Sequence, residues 1–173
     1  PRRQHVDPPA APRLRGRSVS HLTSTNWIFR TSTPADAEWM AELRAIVMRP
    51  DLERLERYDE VRVRQRFLDA FVPDHTRVIV AEGTDIGLVA LRPEPDALWI
   101  EHFYLDPAHQ SRGIGHEVLT ALLAEGDGER PFRLNVLQGS PARRLYERHG
   151  FTLESEDPVD VYLVARSQNE ADL

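Results

Sequence analysis

The segment Leu105-Asp106-Pro107-Ala108-His109-Gln110-Ser111-Arg112-Gly113-Ile114-Gly115-His116 constrains this chain more than any other. An apolar run ends at Leu105 and a short polar loop follows. Two glycines one residue apart then open an amphipathic stretch that carries Val118, Leu119, Leu122 and Leu123. A strand must turn sharply into a helix here, with backbone unobstructed by side chains at the turn. The first N–H groups of such a helix have no intrahelical acceptor and lie at the positive end of its dipole, so they favour an anion. Arg112 adds a cation beside them. A pyrophosphate suits that arrangement.

Periodicity places the turn within a longer pattern. Trp27-Ile28-Phe29 reads as a short strand. Thr33 then caps a helix with Pro34 at its first position and Asp36 in its first turn. Trp39, Met40, Leu43, Ile46 and Val47 recur at helical spacing, and Arg49-Pro50 is expected to stop the run. Residues 51–58 read as a helical connection, and a second helix is expected over 59–71, where Val63, Phe67 and Phe71 step by four with Leu68 beside them. Strands at 77–81 and 86–91 flank a hairpin signal, Glu82-Gly83-Thr84-Asp85, and a third follows at 97–105. After the glycine turn come a helix over 113–125, a strand over 132–137, a helix over 140–149, and a hairpin of 151–153 with 159–165. The order predicts a mixed α/β fold whose sheet carries helices on both faces. No internal repeat is visible.

Composition bounds the rest. A length of 173 residues with 40% hydrophobic content suits one globular domain. No apolar run nears the roughly 18 residues of a membrane span, and the Arg-studded start lacks the apolar stretch of a signal peptide. With no cysteine, disulfides, thiolate metal sites and cysteine nucleophiles are excluded. No metal is expected, and a cytoplasmic location fits. All 22 basic residues are arginine, so no lysine is available for self-acetylation. Residues 1–25 hold five arginines against Asp7 and several prolines, and read as a disordered basic tail ahead of a domain over 26–173. The formal net charge of −6 leaves −10 on the body. An acidic body disfavours nucleic acid as the main partner and suits a cationic acceptor.

Three phosphate motifs compete for the glycine turn. A Walker A loop needs Gly-Lys-Ser/Thr, and there is no lysine. A Rossmann fingerprint needs a third glycine or alanine where Val118 stands. The remaining pattern, Gln-x-x-Gly-x-Gly after a strand, resembles the acetyl-CoA signature of the GNAT (GCN5-related N-acetyltransferase) superfamily. Ile100-Glu101-His102-Phe103-Tyr104-Leu105-Asp106-Pro107 resembles that family's fourth strand and its exit. A second block, Leu134-Asn135-Val136 followed by Pro141-Ala142-Arg143-Arg144-Leu145-Tyr146-Glu147-Arg148-His149-Gly150-Phe151, resembles its later strand, helix and Gly-Phe exit. The resemblance covers about residues 26–166. It implies a GNAT fold and acetyl-CoA as co-substrate. The backbone of Phe103, Tyr104 and Leu105 would hold the pantetheine arm. Gln110, Ser111, Arg112, Gly113, Ile114, Gly115 and His116 would hold the pyrophosphate. The family often has an asparagine at the start of the Tyr146 helix; here Gly139 and Ser140 stand there, and Ser140 can still cap the helix.

Direct acyl transfer to an amine needs a base for the ammonium proton and an acid for the departing thiolate. It also needs donors for the developing oxyanion, which N–H groups near Phe103 to Leu105 could supply. Glu101 is the candidate base, directly or through water. Strand parity puts it with Trp99, Phe103 and Leu105 on an otherwise apolar face, and His102 opposite with Ile100 and Tyr104. Tyr146 stands where the family has its helix tyrosine, which implies the general acid. Specificity is expected in 49–72, where Arg54, Arg57, Tyr58, Asp59, Arg62 and Arg66 cluster. These read either as a solvated helix face or as a site for an acceptor with a carboxylate or phosphate besides its amine. The acceptor amine, small molecule or peptide, is not legible, and a homodimer stays open. Two rival readings are a non-catalytic acyl-CoA sensor of the same fold and a nucleic-acid binder using residues 1–25.

Overall fold

The structure is a computed structural model and describes residues 25–166. The basic segment 1–25 lies outside it except for Thr25. Seven strands and four helices follow the expected order: β1 (Trp27–Thr31), α1 (Ala37–Arg54), α2 (Glu60–Ala70), β2 (Thr76–Ala81), β3 (Thr84–Pro93), β4 (Leu98–Leu105), α3 (Ile114–Leu123), β5 (Phe132–Leu137), α4 (Ala142–Arg148), β6 (Thr152–Glu156) and β7 (Asp160–Ala165).

Local chemistry explains the boundaries. Thr33 opens a short 3-10 turn over Pro34–Asp36 that leads into α1, and its N–H donates to the Asp36 carboxylate at 2.9 Å. Asp59 caps α2 by accepting the Val61 and Arg62 N–H groups at 3.0 and 2.8 Å. Glu82 and Gly83 both adopt positive φ, 51° and 77°, which matches a two-residue hairpin turn to strand twist. One boundary differs from expectation. Pro50 does not end α1, which continues to Arg54. Proline forfeits one amide bond there, and the helix gains a last turn in which Arg49–Glu53 and Asp51–Arg54 pair at 2.6 Å.

The strands form one sheet in the order β1-β2-β3-β4-β5-β7-β6. Every adjacent pair is antiparallel except β4 and β5. Helices α3 and α4 cover one face, where Ile114, Val118, Leu119, Leu122 and Tyr146 pack on Val89, Leu98, Ile100, Leu134 and Leu163. Helices α1 and α2 cover the other, through Met40, Leu43 and Phe67 against Val78, Leu88 and Tyr104. Ile46 and Leu68, expected on apolar faces, are exposed.

Candidate functional site

The parallel pair in the middle of the sheet creates the site. β4 and β5 are in register only at Leu98↔Phe132 and Trp99↔Arg133. Beyond Trp99 the edge of β4 that faces β5 has no partner strand among the described residues, and the two strands part. A cavity of about 510 Å³ fills the opening, lined by residues 100–104 of β4, 134–137 of β5, α1, α2 and the start of α4. The unpaired backbone of β4 is thus available to a ligand lying along it.

A bulge in β4 decides what faces where. Leu88 pairs with Tyr104 but Ala90 with Glu101, so two residues, His102 and Phe103, oppose Val89 alone. His102 takes up the irregularity at φ +48°. Side-chain alternation reverses there, which corrects the parity argument. Phe103 and Leu105 pack with Ile100 against the α3–α4 core, and Tyr104 packs in the α1–α2 core. Glu101 therefore keeps company with Trp99 and Tyr104 and not with Phe103 and Leu105. His102 joins that same α1–α2 side, its ring edge-on to Phe67 at 5.0 Å.

Glu101 is partly buried, but its surroundings are not simply apolar. Arg92 on β3 donates from Nε and Nη2 to Glu101 Oε1 at 3.0 and 2.9 Å. The same guanidinium bonds Glu94 and lies over the Trp99 ring at 5.8 Å. Next along the strand, burial pushes the His102 imidazole down to about 4; Arg44 adds to that shift, and Glu101 opposes it. His102 is thus neutral at neutral pH. Its Nδ1 lies 3.3 Å from the Tyr104 hydroxyl. That hydroxyl also accepts from Arg44 Nε at 3.2 Å and donates to Met48 Sδ at 3.5 Å.

Tyr146 enters the cavity from α4. It is buried, packs edge-to-face on Phe151 at 5.7 Å, and its hydroxyl has no protein partner among the described residues. Burial holds its phenol above the ordinary value, with Tyr104 contributing. The group stays protonated at any working pH, as a proton donor must. Ser140 lines the same cavity, and its Oγ accepts the Ala142 N–H at 3.3 Å, at the opening of α4.

The glycine turn adjoins the far end of β4. Gln110 Nε2 donates to Leu105 O at 2.9 Å and ties the loop to the strand. Ser111 and Gly113 both have positive φ, 61° and 83°. Gly113 is the N-cap of α3, no side chain caps that helix, and a Cβ at Gly113 would meet nothing within 4 Å. Gly115 is different: a Cβ there would touch Leu145 and Leu105 side chains at 3.5 and 3.7 Å. The first glycine sets the turn, while the second lets α3 sit close to β4 and α4. His116 lies near His149 with ring centroids 4.6 Å apart and the rings tilted by 48°.

Glu101, Phe103, Tyr104, Ser140 and Tyr146 therefore share one cavity, while residues 110–116 form its neighbour at the strand exit. Of the arginine cluster expected to set specificity, Arg57, Arg62 and Arg66 line the cavity with Asp59. Arg54 instead bonds Gln138 O, and Tyr58 lies under Arg49 at 4.7 Å. Two residues not singled out from sequence are central: Arg92, the partner of Glu101, and Arg44, buried between the helices and β4. Arg44 had a signal, since it falls among Met40, Leu43 and Val47 on the buried side of α1. Among the described residues, no group of three or more His, Cys, Asp or Glu is placed to hold a metal ion, and no helix is long and apolar enough to cross a membrane.

The sheet parts between β4 and β5, and an uncapped glycine turn stands at the strand exit. Residues 74–153, which run from the approach to β2 into β6, match the family model for the acetyltransferase (GNAT) domain. The structure is similar to that of PaiA N-acetyltransferase from Thermoplasma acidophilum in complex with coenzyme A, at 18% identity and a TM-score of 0.66 over 82% of this chain and 99% of that one. It is also similar to an N-acetyltransferase from Staphylococcus aureus (18% identity, TM-score 0.61, 80% of this chain and 100% of that one). An acetyltransferase from Thermus thermophilus compares at 20% identity and TM-score 0.62, over 80% and 95%. At these identities the likeness speaks to the fold. No curated protein matches the sequence.

Proposed function

We propose that this protein transfers the acetyl group of acetyl-CoA directly to an amine, with Glu101 as general base and Tyr146 as general acid. One observation carries the proposal: both side chains open into the cavity where β4 and β5 part, and the uncapped start of α3 lies at the exit of β4. Coenzyme A fits this chain on two grounds. Gly113 leaves open space over the first N–H groups of α3, where a diphosphate would be held by residues 111–116 with Gln110 bracing the loop. The unpartnered edge of β4 at Phe103 to Leu105 offers hydrogen bonds to an amide-bearing arm.

The chain's own groups would then act in sequence. Glu101, held in place by Arg92, takes a proton from the acceptor ammonium, directly or through a water. The freed nitrogen lone pair forms the new C–N bond at the acetyl carbonyl. Backbone N–H groups beside the His102 bulge face the carbonyl oxygen as it gains charge. The C–S bond breaks, and the Tyr146 hydroxyl gives its proton to the sulfur; the new amide nitrogen sheds its extra proton through water, which restores Tyr146, and Glu101 returns its proton to solvent. Ser140, at the opening of α4, lines the same cavity.

Release of free thiol from acetyl-CoA with a panel of amines tests the reaction. Acetyl-CoA should also raise the melting temperature far more than ATP or NAD does, because it binds the folded state. A stabilised protein that releases no thiol with any amine would instead favour the sensor reading. Equal stabilisation by ATP would remove the CoA assignment.

A further inference from the structure

The cavity holds a cation that no carboxylate neutralises. Arg44 is only 9% exposed, yet it forms no ion pair among the described residues. Its two protein bonds go to neutral oxygens: Nε to the Tyr104 hydroxyl at 3.2 Å, and Nη1 to Val63 O. A guanidinium has five N–H donors in a planar fork and is not deprotonated in proteins. Three donors therefore remain on a side chain that lines the cavity. A buried charge without a partner is costly, and the cost falls when an anion arrives to pair with it.

The carboxylates that line the cavity are already engaged, Asp160 by the Asn135 side-chain amide at 3.0 Å. Glu101 is gripped by Arg92, Asp59 caps α2, and Asp51 pairs with Arg54. Three more guanidiniums at the cavity wall, Arg57, Arg62 and Arg66, likewise form no ion pair among the described residues. Arg44, Arg57, Arg62 and Arg66 thus balance the carboxylates of Asp51, Asp59, Glu101 and Asp160 in the lining, and guanidiniums without an ion-pair partner among the described residues lie on the α1–α2 side of β4.

We propose that the acceptor is an amine that also carries a carboxylate, and that Arg44 receives this carboxylate at the floor of the cavity. This rests on the acyl-transfer reading above. The planar fork left free on Arg44 matches two carboxylate oxygens, while Arg62 and Arg66 at the rim draw the anion in. A polyamine or simple alkylamine would leave Arg44 unpaired and bring a second cation beside it.

The test compares amines that differ only by the carboxylate: glycine with methylamine, 4-aminobutanoate with propylamine, and 6-aminohexanoate with pentylamine. Thiol release should favour at least one carboxylated member through a lower KM. In Arg44→Met that preference should shrink roughly ten- to hundredfold, the value of a hydrogen bond to a charged group, and Arg44→Lys should fall between. Retained stabilisation by acetyl-CoA shows that each variant is folded. A second readout is binding of 4-aminobutanoate and 6-aminohexanoate to the CoA-loaded protein by calorimetry, expected for the native chain and lost in Arg44→Met. Plain amines or putrescine used as well as their carboxylated counterparts, or a preference untouched by Arg44→Met, would overturn the proposal and leave acyl transfer standing. Arg44-dependent binding without thiol release would overturn the acyl-transfer reading and leave the carboxylate site. Neither binding nor preference would overturn it.

Discussion

Arg92 and Glu101 are joined across β3 and β4 by two hydrogen bonds to one oxygen, Nε at 3.0 Å and Nη2 at 2.9 Å to Oε1. The fork fixes the carboxylate at the point where β4 leaves β5, and it places a cation on the side of Glu101 that faces β3. Bonds of this charge-assisted kind are roughly twice as strong as neutral ones. A base so oriented loses little rotational freedom when it meets its substrate.

Glu101→Gln keeps size and hydrogen bonding but cannot accept a proton. Turnover should fall about 10²-fold or more near neutral pH and recover in part at high pH, where solvent deprotonates more of the amine. A pH–rate profile with one good acceptor checks this. A uniform loss with an unchanged profile would make the carboxylate structural.

Tyr146→Phe removes only a hydroxyl that has no protein partner among the described residues. The fold and CoA affinity should hold, while the acyl-transfer step slows by roughly 10²–10⁴-fold. High pH should not rescue it, since the missing event is proton donation to sulfur. Single-turnover kinetics beside calorimetric CoA binding would show the split; wild-type turnover would reduce Tyr146 to a packing residue.

Gly113 and Gly115 should respond differently to substitution. Gly113→Val forces a branched residue to φ +83° and puts atoms into the open space above the first turn of α3. It should lose stabilisation by acetyl-CoA, with a folding cost of about 1–2 kcal/mol from the left-handed backbone. Gly115→Ala meets only ordinary contacts with Leu145 and Leu105 and should keep that stabilisation. Thermal melts with and without acetyl-CoA separate the two.

His102 should leave a mark on acid stability. Its folded value near 4 lies below the unfolded value of about 6.5, so the unfolded chain binds the proton first. Its contribution is fully present above about pH 6.5 and is lost as pH falls toward 4. His102→Asn suits the positive φ and removes the titration, so urea midpoints of the variant should depend less on pH across that window.

Asp36 acts through a separate network at the start of α1. It accepts from Arg30 at 2.8 and 3.1 Å, Trp39 Nε1 at 2.8 Å and Thr33 N–H at 2.9 Å. The Arg30 guanidinium, above all, holds its carboxyl well below the usual carboxylate range. The stability this adds is present above about pH 4 and is lost as pH falls further. Asp36→Asn should cost about 2 kcal/mol at pH 7, the scale of charge-assisted bonds, and the gap should narrow in urea titrations below pH 4.

The architecture was legible because its elements announce themselves through periodicity. Val118, Leu119 and Leu122 mark a helix, and Glu82-Gly83 marks a hairpin, wherever they occur. The face on which Glu101 lies was less legible. A single extra residue at His102 reverses alternation, and nothing in Glu101-His102-Phe103 marks a bulge until β3 is set against it. Pro50 misled for a related reason, since the bonds that carry α1 past it arise in the turn beyond. The arginine cluster signalled charge at 57–66, where Arg57, Arg62 and Arg66 line the cavity, while the buried Arg44 stands on another helix.

The two residue pairs that join β4 to β5 also make a seam. On one side lies the ladder β1-β2-β3-β4, on the other β5-β7-β6, each closed by longer antiparallel registers. In hydrogen-exchange terms the backbone bonds of this join should open before those of either ladder, while the α3–α4 core packs on both sides of it. Amides of β4 past Trp99 should exchange early in the free protein. A molecule spanning the gap would slow them and couple the two halves, so that occupancy is written into the protein's rigidity as well as its chemistry.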